Sequence, residues 1–328
     1  MKDKKKTPEK LILAVDIGGT KLAAGLVSQD GRILSRIQEP TGKEGPEQNF
    51  AQIIHLLESL LSKAGLTSQD VLGIGIGIPA MLENDTDFII WGPNLNGWRN
   101  VALRPVIEDH FKLPVCIEYD GHTSVLGEWW VGAGRGRKSL VDIIIGTGVG
   151  GGMILEDHLV RGMNRLAGAA GWFTFKAGPG QDDPNDRSLG YWEARTAGPG
   201  IARRANELLR TGHYSGSLLA NSPPTFTSED VFSAAKQGDL LAQVVCNEVA
   251  DLLGSGIANI ISLVNPEVII LGGSVGANAG FLIPRIFEVV NTWAQPVSAR
   301  AVQIIESTLA GDAGLLGAAY SALLRFKK

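Results

Sequence analysis

The stretch LILAVDIGGTKLAAGLV, residues 11–27, contains two apolar runs separated by a pair of glycines. Short apolar runs bounded by glycine are typical of buried strands, so the stretch predicts strands over 11–17 and 21–27 joined by a tight turn. The same criteria predict further strands at 32–38, 71–78, 115–118, 139–145, 153–155, 159–160 and 268–271, and helices at 48–64, 101–111, 123–132 and 314–326. Because strands alternate with helices, we expect an α/β architecture.

The turn between the first two strands has the residues of a phosphate site. Gly18 and Gly19 have no Cβ, so backbone N–H groups can approach a phosphate closely, and Thr20 adds a hydroxyl donor. Asp16 supplies a carboxylate at the strand end, which is suited to hydrated Mg²⁺. A plain β-hairpin turn is the alternative for the glycine pair alone, and the aspartate before it favours the phosphate site.

A second glycine-rich turn, GTGVGGG at 146–152, follows a predicted strand in the middle of the chain. Its formal GxGxxG pattern does not indicate a dinucleotide site, because the residues after it, 153–155, are predicted as strand where that fingerprint opens a helix. The sequence also contains no Walker A motif. The repeated order of strand, glycine turn and strand predicts an internal duplication with two lobes and two phosphate loops that face each other.

Two further motifs stand at predicted strand ends. Gly272-Gly273 follows the strand at 268–271 and could admit a ligand near the backbone, although a tight strand-to-helix turn explains it equally well. Asp120 stands between a strand and a helix, where a carboxylate can accept a hydroxyl proton. The same aspartate could serve as a helix N-cap, and the two roles are compatible.

Composition limits the possible classes of protein. The 328 residues, 44% hydrophobic and 20% charged with a net charge of −4, indicate a soluble globular protein without the positive surface of a nucleic-acid or membrane binder. Two widely spaced cysteines, Cys116 and Cys246, are interpreted as reduced buried thiols of a cytoplasmic protein. The lysine-rich start, residues 1–10, is expected to be a flexible tail, because Asp16 breaks the apolar run that a signal peptide needs. The apolar stretch at 257–264 is too short to span a bilayer.

Seven linked segments resemble the ROK family of sugar kinases and repressors over about residues 11–326. They are LILAVDIGGTKLAAGLV, GIGIP at 75–79, GPNLNGW at 92–98, LPVCIEYDGHTSVLGE at 113–128, IIIGTGVGGG at 143–152, RGMNRLAGAAG at 161–171 and VIILGGSV at 268–275. The resemblance implies a two-lobed actin/hexokinase-like (ribonuclease H-like) fold that binds ATP and a sugar between its lobes. Family repressors carry a DNA-binding domain before the first phosphate loop, and the ten residues before Leu11 favour the kinase branch.

The resemblance also assigns roles to individual residues. Asp120 matches the catalytic base and Asp16 the Mg²⁺-linked aspartate. The ATP and phosphate positions are Asp16, Gly18, Gly19, Thr20, Lys21, Gly146, Thr147, Gly148, Gly272 and Gly273. The sugar positions are Asn94, Asp120, Gly171, Trp172 and Glu193.

The expected domains are a small lobe at 11–119, joined by the C-terminal helix 314–328, and a large lobe at 120–313. A homodimer is also implied by the resemblance, with no nucleic-acid or membrane partner. The implied activity is MgATP-dependent phosphorylation of a hexose hydroxyl, glucokinase-type first. An N-acetylhexosamine kinase, a non-catalytic sugar or nucleotide sensor on the same fold and, more remotely, an NAD-dependent enzyme are the alternatives.

The sequence departs from the family pattern around the sugar and at a zinc site. The family's sugar-binding Asn, Glu and His correspond to Tyr119, Ala169 and Trp172. That His is also a family zinc ligand, and the three cysteine ligands correspond to Pro184, Asp186 and Tyr191, so we expect no zinc site. Asp182, Asp183 and Asp186 are interpreted as a solvated acidic loop in a loop-rich stretch at 176–190 rather than a hard-cation site. Trp172 and Trp192 are expected to pack the space of the missing zinc, with stacking on a sugar as the alternative.

Overall fold

The computed structural model describes the backbone of residues 9–175, 184–221 and 226–327. Within these ranges the strands are β1 Leu11–Ile17, β2 Lys21–Val27, β3 Ile33–Pro40, β4 Val71–Ile78, β5 Met81–Leu82, β6 Ile89–Trp91, β7 Arg99–Val101, β8 Val115–Tyr119, β9 Leu140–Ile145, β10 Val149–Leu155, β11 His158–Leu159, β12 Val268–Gly272 and β13 Gln303–Glu306. The α-helices are α1 Pro46–Ala64, α2 Leu103–Phe111, α3 Asp120–Val131, α4 Pro184–Leu189, α5 Glu193–Thr196, α6 Gly198–Arg210, α7 Ser228–Lys236, α8 Leu240–Val264, α9 Gly273–Gly276, α10 Ile283–Trp293, α11 Pro296–Ala301 and α12 Ala313–Phe326.

The chain divides into two compact units, and the first contains residues 1–135, 159–167 and 312–328. Its five-stranded sheet has the order β3-β2-β1-β4-β8. β1 pairs antiparallel with β2 and parallel with β4, and β4 pairs parallel with β8. The apolar side chains of β1 after Leu11 are fully buried on both faces of the sheet, which explains why its sequence shows a continuous apolar run rather than alternation.

Helices α3 and α12 of the first unit approach each other closely through glycines. A Cβ built on Gly317 would lie only 1.5 Å from the carbonyl oxygen of Thr123, and one on Gly127 would lie 2.2 Å from that of Ala313. No residue larger than glycine fits these positions unless the helix backbones separate. The contact fixes the start of α3, which is the helix that begins at Asp120.

The second unit, residues 136–158 and 168–311, repeats the sheet of the first. Its sheet has the order β11-β10-β9-β12-β13, so in both sheets the first strand of the unit lies between its antiparallel hairpin partner and a parallel strand from later in the chain. β12 then pairs parallel with β13, as β4 does with β8. The strand order therefore supports the predicted internal duplication.

Helix α8 is the central helix of the second unit. By length and composition it is the one helix among the described residues that could cross a membrane, and it is longer than the apolar run at 257–264 suggested. However, 61% of its most apolar window is buried within the protein. That burial is what the core helix of a globular unit shows, and Leu253, Ile257 and Ile261 pack in the apolar core of the second unit.

Several predicted boundaries differ from the structure. Val101 ends a short strand, and the helix predicted from it begins at Leu103. Helix α4 lies within the stretch expected to be loop-rich, and the small sheet β5-β6-β7 was not predicted because its strands have only two or three residues. The first compact unit includes residues 120–135, and the expected lobe boundary at 120 stays a prediction. Most of the expected tail, residues 1–8, and Asp182 and Asp183 lie outside the described residues.

Candidate active site

The glycine turn of the first unit connects β1 to β2. The Gly18 N–H donates to the Lys21 carbonyl at 2.9 Å, which closes the turn, and the Thr41 hydroxyl donates to the Gly18 carbonyl at 2.7 Å. Gly19, Thr20 and Lys21 are exposed at the tip of the turn. The strand-turn-strand form that the sequence indicated is therefore present, and the phosphate-binding role of the turn stays a prediction.

Asn94 lies beside this turn. A Cβ added to Gly19 would lie 3.1 Å from the Asn94 carbonyl oxygen and 3.6 Å from the Asn94 Cβ. The structure thus brings Asn94, which is predicted to contact the sugar, next to Gly19, which is predicted to contact a phosphate, although 75 positions separate them in the chain. Glycine at position 19 permits this approach, because any side chain would push the two segments apart.

The Asp16 carboxylate lies at the end of β1 against the first turn of α12. A Cβ on Gly314 would lie 2.9 Å from the carboxylate carbon and both oxygens of Asp16. Burial raises the pKa of Asp16 to about 6, an effect that the nearby charges of Lys21 and Arg36 partly oppose and that of Asp312 reinforces. A cation close to this carboxylate would favour its ionised form and so oppose the effect of burial.

Asp120 is the first residue of α3 and directly follows β8. It is partly buried, and the Gly121 N–H donates to Asp120 Oδ1 at 2.8 Å. In the sheet, Asp16 aligns with Gly77 of β4, and Gly77 aligns with Glu118 of β8. Because these three strands are parallel and roughly 4.8 Å apart, the strand ends that carry Asp16 and Asp120 lie at one edge of the sheet, about 10 Å from each other.

The glycine turn of the second unit connects β9 to β10. The Gly146 N–H donates to the Gly148 carbonyl at 2.9 Å, and Thr147 between them is exposed. Glu193 Oε2 accepts the Val149 N–H at 2.7 Å, and a Cβ on Gly148 would lie 2.7 Å from the same oxygen. Burial raises the pKa of Glu193, and its hydrogen bond from Val149 opposes that rise.

Two more predicted positions border this second turn. A Cβ on Gly171 would lie 2.4 Å from the Val149 carbonyl and 3.1 Å from the Glu193 side chain. A Cβ on Gly273 would lie 2.4 Å from the carbonyl of Ile145, the residue that ends β9. The structure therefore gathers the sugar positions Gly171 and Glu193 and the ATP position Gly273 around a single turn.

Gly272 and Gly273 form the junction between β12 and α9. Gly272 is the N-cap of that four-residue helix, and Gly273 has a φ of 76°, a left-handed conformation that glycine adopts without strain. The strand-to-helix turn is therefore present, and it does not exclude the predicted adenosine contact.

The tryptophans at the expected zinc region differ from each other in burial. Trp192 is fully buried, its Nε1–H donates to the Leu252 carbonyl at 2.9 Å, and its ring stacks on Phe173. Trp172 is 59% exposed, so the expectation that both indoles pack inside is wrong for Trp172. An exposed indole is free to stack on a ligand.

Two of the positions that correspond to family cysteines are joined through Arg195. Its guanidinium forms an ion pair with Asp186 and lies 3.9 Å from the centre of the Tyr191 ring. The side chain of Pro184, the third position, lies outside the described residues. Across the described residues, no group of three His, Cys, Asp or Glu side chains could hold a metal ion.

A buried ion cluster beside Asp120 was not predicted. Glu118 is buried and lies within 3.2 Å of the His122 ring, 2.9 Å of Arg161 and 3.1 Å of Arg165. Burial alone would raise the pKa of Glu118, but the His122 hydrogen bond and the two arginine charges lower it to about 2. The signal in the sequence was the pair of arginines in RGMNRLAGAAG, which carry charge into an otherwise small and apolar motif.

Comparison with known proteins agrees with this geometry. The ROK family model matches residues 12–324. A glucokinase of Halalkalibacterium halodurans is 35% identical over 308 residues, 93% of this chain and 92% of the relative, and one of Thermotoga maritima is 32% identical over 95% of this chain and 97% of the relative. The crystal structure of a ROK family glucokinase from Streptomyces griseus in complex with glucose and AMPPNP is similar with a TM-score of 0.81 at 30% identity, over 96% of this chain and 99% of that one. The expected α/β, actin/hexokinase-like fold class is therefore confirmed, and the chain belongs to the ROK family.

Proposed function

We propose that this ATP-dependent sugar kinase transfers the γ-phosphoryl group of MgATP to a hydroxyl of a hexose or a hexose derivative. The observation that carries the proposal is the alignment of Asp16, Gly77 and Glu118 across three parallel strands, which brings the Asp16 and Asp120 strand ends to one edge of the sheet. The glycine turn begins at that same edge, directly after β1. The glucokinase relatives and the sugar-kinase structure support the reaction class.

Asp120 is the proposed general base. Its carboxylate accepts the proton of the sugar hydroxyl while the hydroxyl oxygen forms a bond to the γ-phosphorus and the bond from that phosphorus to the ADP oxygen breaks. The proton ends on Asp120, and ADP leaves with the electron pair of the broken bond.

The two glycine turns are the proposed phosphate sites. Their exposed backbone N–H groups, together with the hydroxyls of Thr20 and Thr147, can donate to phosphate oxygens as charge moves toward the ADP leaving group. Gly272 and Gly273 are proposed to contact the adenosine. Asn94, Gly171, Trp172 and Glu193 are proposed to contact the sugar.

Asp16 is the residue that fits a magnesium ion. Burial raises the pKa of its carboxylate, and a hydrated cation bound beside it would favour the ionised form. A single carboxylate is the usual number for Mg²⁺ bound largely through water and phosphates. When bound, the ion neutralises charge on the triphosphate.

The test is the Asp120→Asn variant, which keeps the size of the side chain and removes the base. We expect a folded protein whose kcat falls by at least roughly 10²-fold in a coupled ADP-release assay over a panel of sugars. Asp109→Asn is the matched control, because Asp109 is an exposed residue of α2 in the same unit. Near-normal turnover by folded Asp120→Asn contradicts the mechanism, and a wild-type protein that binds ATP and sugars without releasing ADP supports the sensor alternative instead.

A further inference from the structure

Strand β8 is an edge strand of the first sheet, so within the described part of the chain no neighbouring strand pairs with its outer side. Its residue Ile117 nevertheless has partners on that side. The Ile117 carbonyl accepts from Arg165 Nη2 at 2.6 Å, and the Ile117 N–H points at Asp87 Oδ2 at 3.4 Å. Two side chains thus take the place of a strand beside the residue that lies three positions before Asp120. Buried backbone groups require such partners.

Arg165 joins this edge to Glu118. Its guanidinium donates to Asp87 at 2.6 Å and to Glu118 at 3.1 Å, besides the bond to Ile117. The side chain is 6% exposed, so the planar fork of the guanidinium sits in a buried set of three acceptors. A lysine ammonium is a single point charge and does not reproduce the planar arrangement of donors in a guanidinium.

The backbone of Arg165 is also unusual. Its φ is 53°, in the left-handed region that residues other than glycine seldom adopt. A large buried side chain held at such a backbone position indicates that the surrounding contacts compensate for the strain. The segment that carries Arg165, residues 161–167, has a second contact close to Asp120. The His122 ring, in the first turn of α3, lies 3.0 Å from the Ala167 carbonyl.

We propose that Arg165 is a positioning residue for Asp120: its fork, bound to Asp87, Ile117 and Glu118, fixes the end of β8 and thereby the place of the general base. The inference rests on the proposed function. Because the guanidinium of Arg165 is buried and bound to acceptors of the protein itself, we expect its loss to change the rate of the chemical step and to leave the binding of ATP unchanged. A small displacement of a catalytic group is enough to lower the rate strongly.

Arg161 provides a matched comparison. It also pairs with Glu118, at 2.9 Å, but its side chain is 47% exposed. Arg165→Lys and Arg161→Lys therefore make the same chemical change on two arginines that share one carboxylate. We expect Arg165→Lys to lower kcat at least about 10-fold with the KM for ATP within twofold, and Arg161→Lys to stay within twofold in both.

Arg165→Gly is the second variant, because glycine adopts the left-handed backbone without strain and so favours folding while the fork is lost. All rates are measured well below the melting temperature of each variant, which is determined separately.

A normal kcat in either Arg165 variant, or equal losses of kcat in Arg165→Lys and Arg161→Lys, overturns the proposal. Loss of kcat in Arg165→Gly with the KM for ATP unchanged supports it. If the wild type phosphorylates no sugar at all, the proposed function fails first. If the wild type is active, Asp120→Asn is inactive and Arg165→Lys is normal, only the positioning role fails.

Discussion

Folding favours the protonated form of the Asp16 carboxylate, whereas its proposed role requires the ionised form. Its pKa in the folded protein is about 6 against an ordinary value of 3.8, and the main cause is burial. The folded state therefore favours the protonated form. The contribution to stability is complete below pH 3.8 and is lost as the pH rises through about 6. At neutral pH the ionised group then costs up to about 3 kcal/mol of unfolding free energy.

Asp16→Asn is accordingly predicted to stabilise the protein and to inactivate it. The free energy of unfolding of the variant should exceed that of the wild type by an amount that grows between pH 3.8 and about 6 and is constant at higher pH. Denaturant unfolding at a series of pH values measures this difference. Asp109→Asn, an exposed change of the same kind, should show no such trend.

The same titration should appear in the kinetics of the wild type. Because the ionised form of Asp16 is the one that attracts Mg²⁺, kcat/KM for MgATP should fall as the pH decreases through about 6. An activity profile that is flat down to pH 5, or an Asp16→Asn variant that is less stable than the wild type above pH 7, would contradict the role given to this carboxylate.

At the scale of elements, the contact between α3 and α12 makes an unusual prediction about glycine. Replacing a helix-interior glycine by alanine normally stabilises a protein by roughly 1 kcal/mol. At Gly317 the new Cβ would lie 1.5 Å from the Thr123 carbonyl, so the two helices must separate. We expect Gly317→Ala to destabilise by at least about 2 kcal/mol.

Gly317→Ala should also lower the rate, because the Thr123 hydroxyl donates to the Asp120 carbonyl at 2.9 Å and a shift of α3 moves both residues. Gly216→Ala is the control, since nothing lies within 4 Å of a Cβ there and its φ is not left-handed. The melting temperatures of both variants, measured by thermal unfolding, test the predicted loss of stability. Equal melting temperatures for the two would mean that the helices are not in the contact described.

The region between 184 and 196 is predicted to hold its structure without zinc. Trp192 fills the space over Gly256, whose added Cβ would lie 2.5 Å from the indole, and Arg195 links Asp186 with Tyr191. These contacts can replace a metal crosslink because they bury an aromatic ring and pair a charge. Purified protein should contain no stoichiometric zinc by elemental analysis, and its melting temperature should not change after chelation and readdition of Mg²⁺. Zinc at one equivalent per chain, with unfolding upon its removal, would disprove this prediction.

The main elements could be predicted from the sequence because their burial is continuous. β1, β2 and β4 have the predicted limits, and α1 ends at residue 64 as predicted, because Gly65 follows it in a left-handed conformation. The glycine turns and Asp120 stand at strand ends, so local sequence was sufficient to find them. The Glu118 cluster was not predictable in this way, because Arg165 and Glu118 are 47 positions apart and meet only through tertiary structure.

At the scale of the whole molecule, the duplication gives each unit the same strand-turn-strand hairpin with different neighbours. In the first unit the turn lies beside Asn94 and follows Asp16, and in the second it lies beside Glu193 and Gly171. The two turns thus share a form and differ in the side chains around them, and a phosphate-binding role for each stays a prediction. The expected homodimer, the cytoplasmic location and the two-lobe boundaries stay predictions.

Glucose is predicted to be a poor substrate. The resemblance assigns sugar-binding Asn, Glu and His to positions that here are Tyr119, Ala169 and Trp172. Tyr119 is buried with its ring edge-on to His122, and Ala169 has no polar side-chain atom, so two contacts are lost, whereas the exposed Trp172 offers an apolar face. Sites that pair with a substrate hydroxyl bind the substrate much more weakly when the partner group is missing.

We therefore expect a KM for glucose above the roughly 1 μM–1 mM range of ordinary enzymes, and better kinetics for hexoses with a different C1 or C2 substituent. Steady-state kinetics on glucose, mannose, 2-deoxyglucose and N-acetylated hexosamines measure this, with Trp172→His as the comparison variant. A glucose KM within the ordinary range in the wild type would show that Asn94, Glu193 and Asp120 suffice for the sugar.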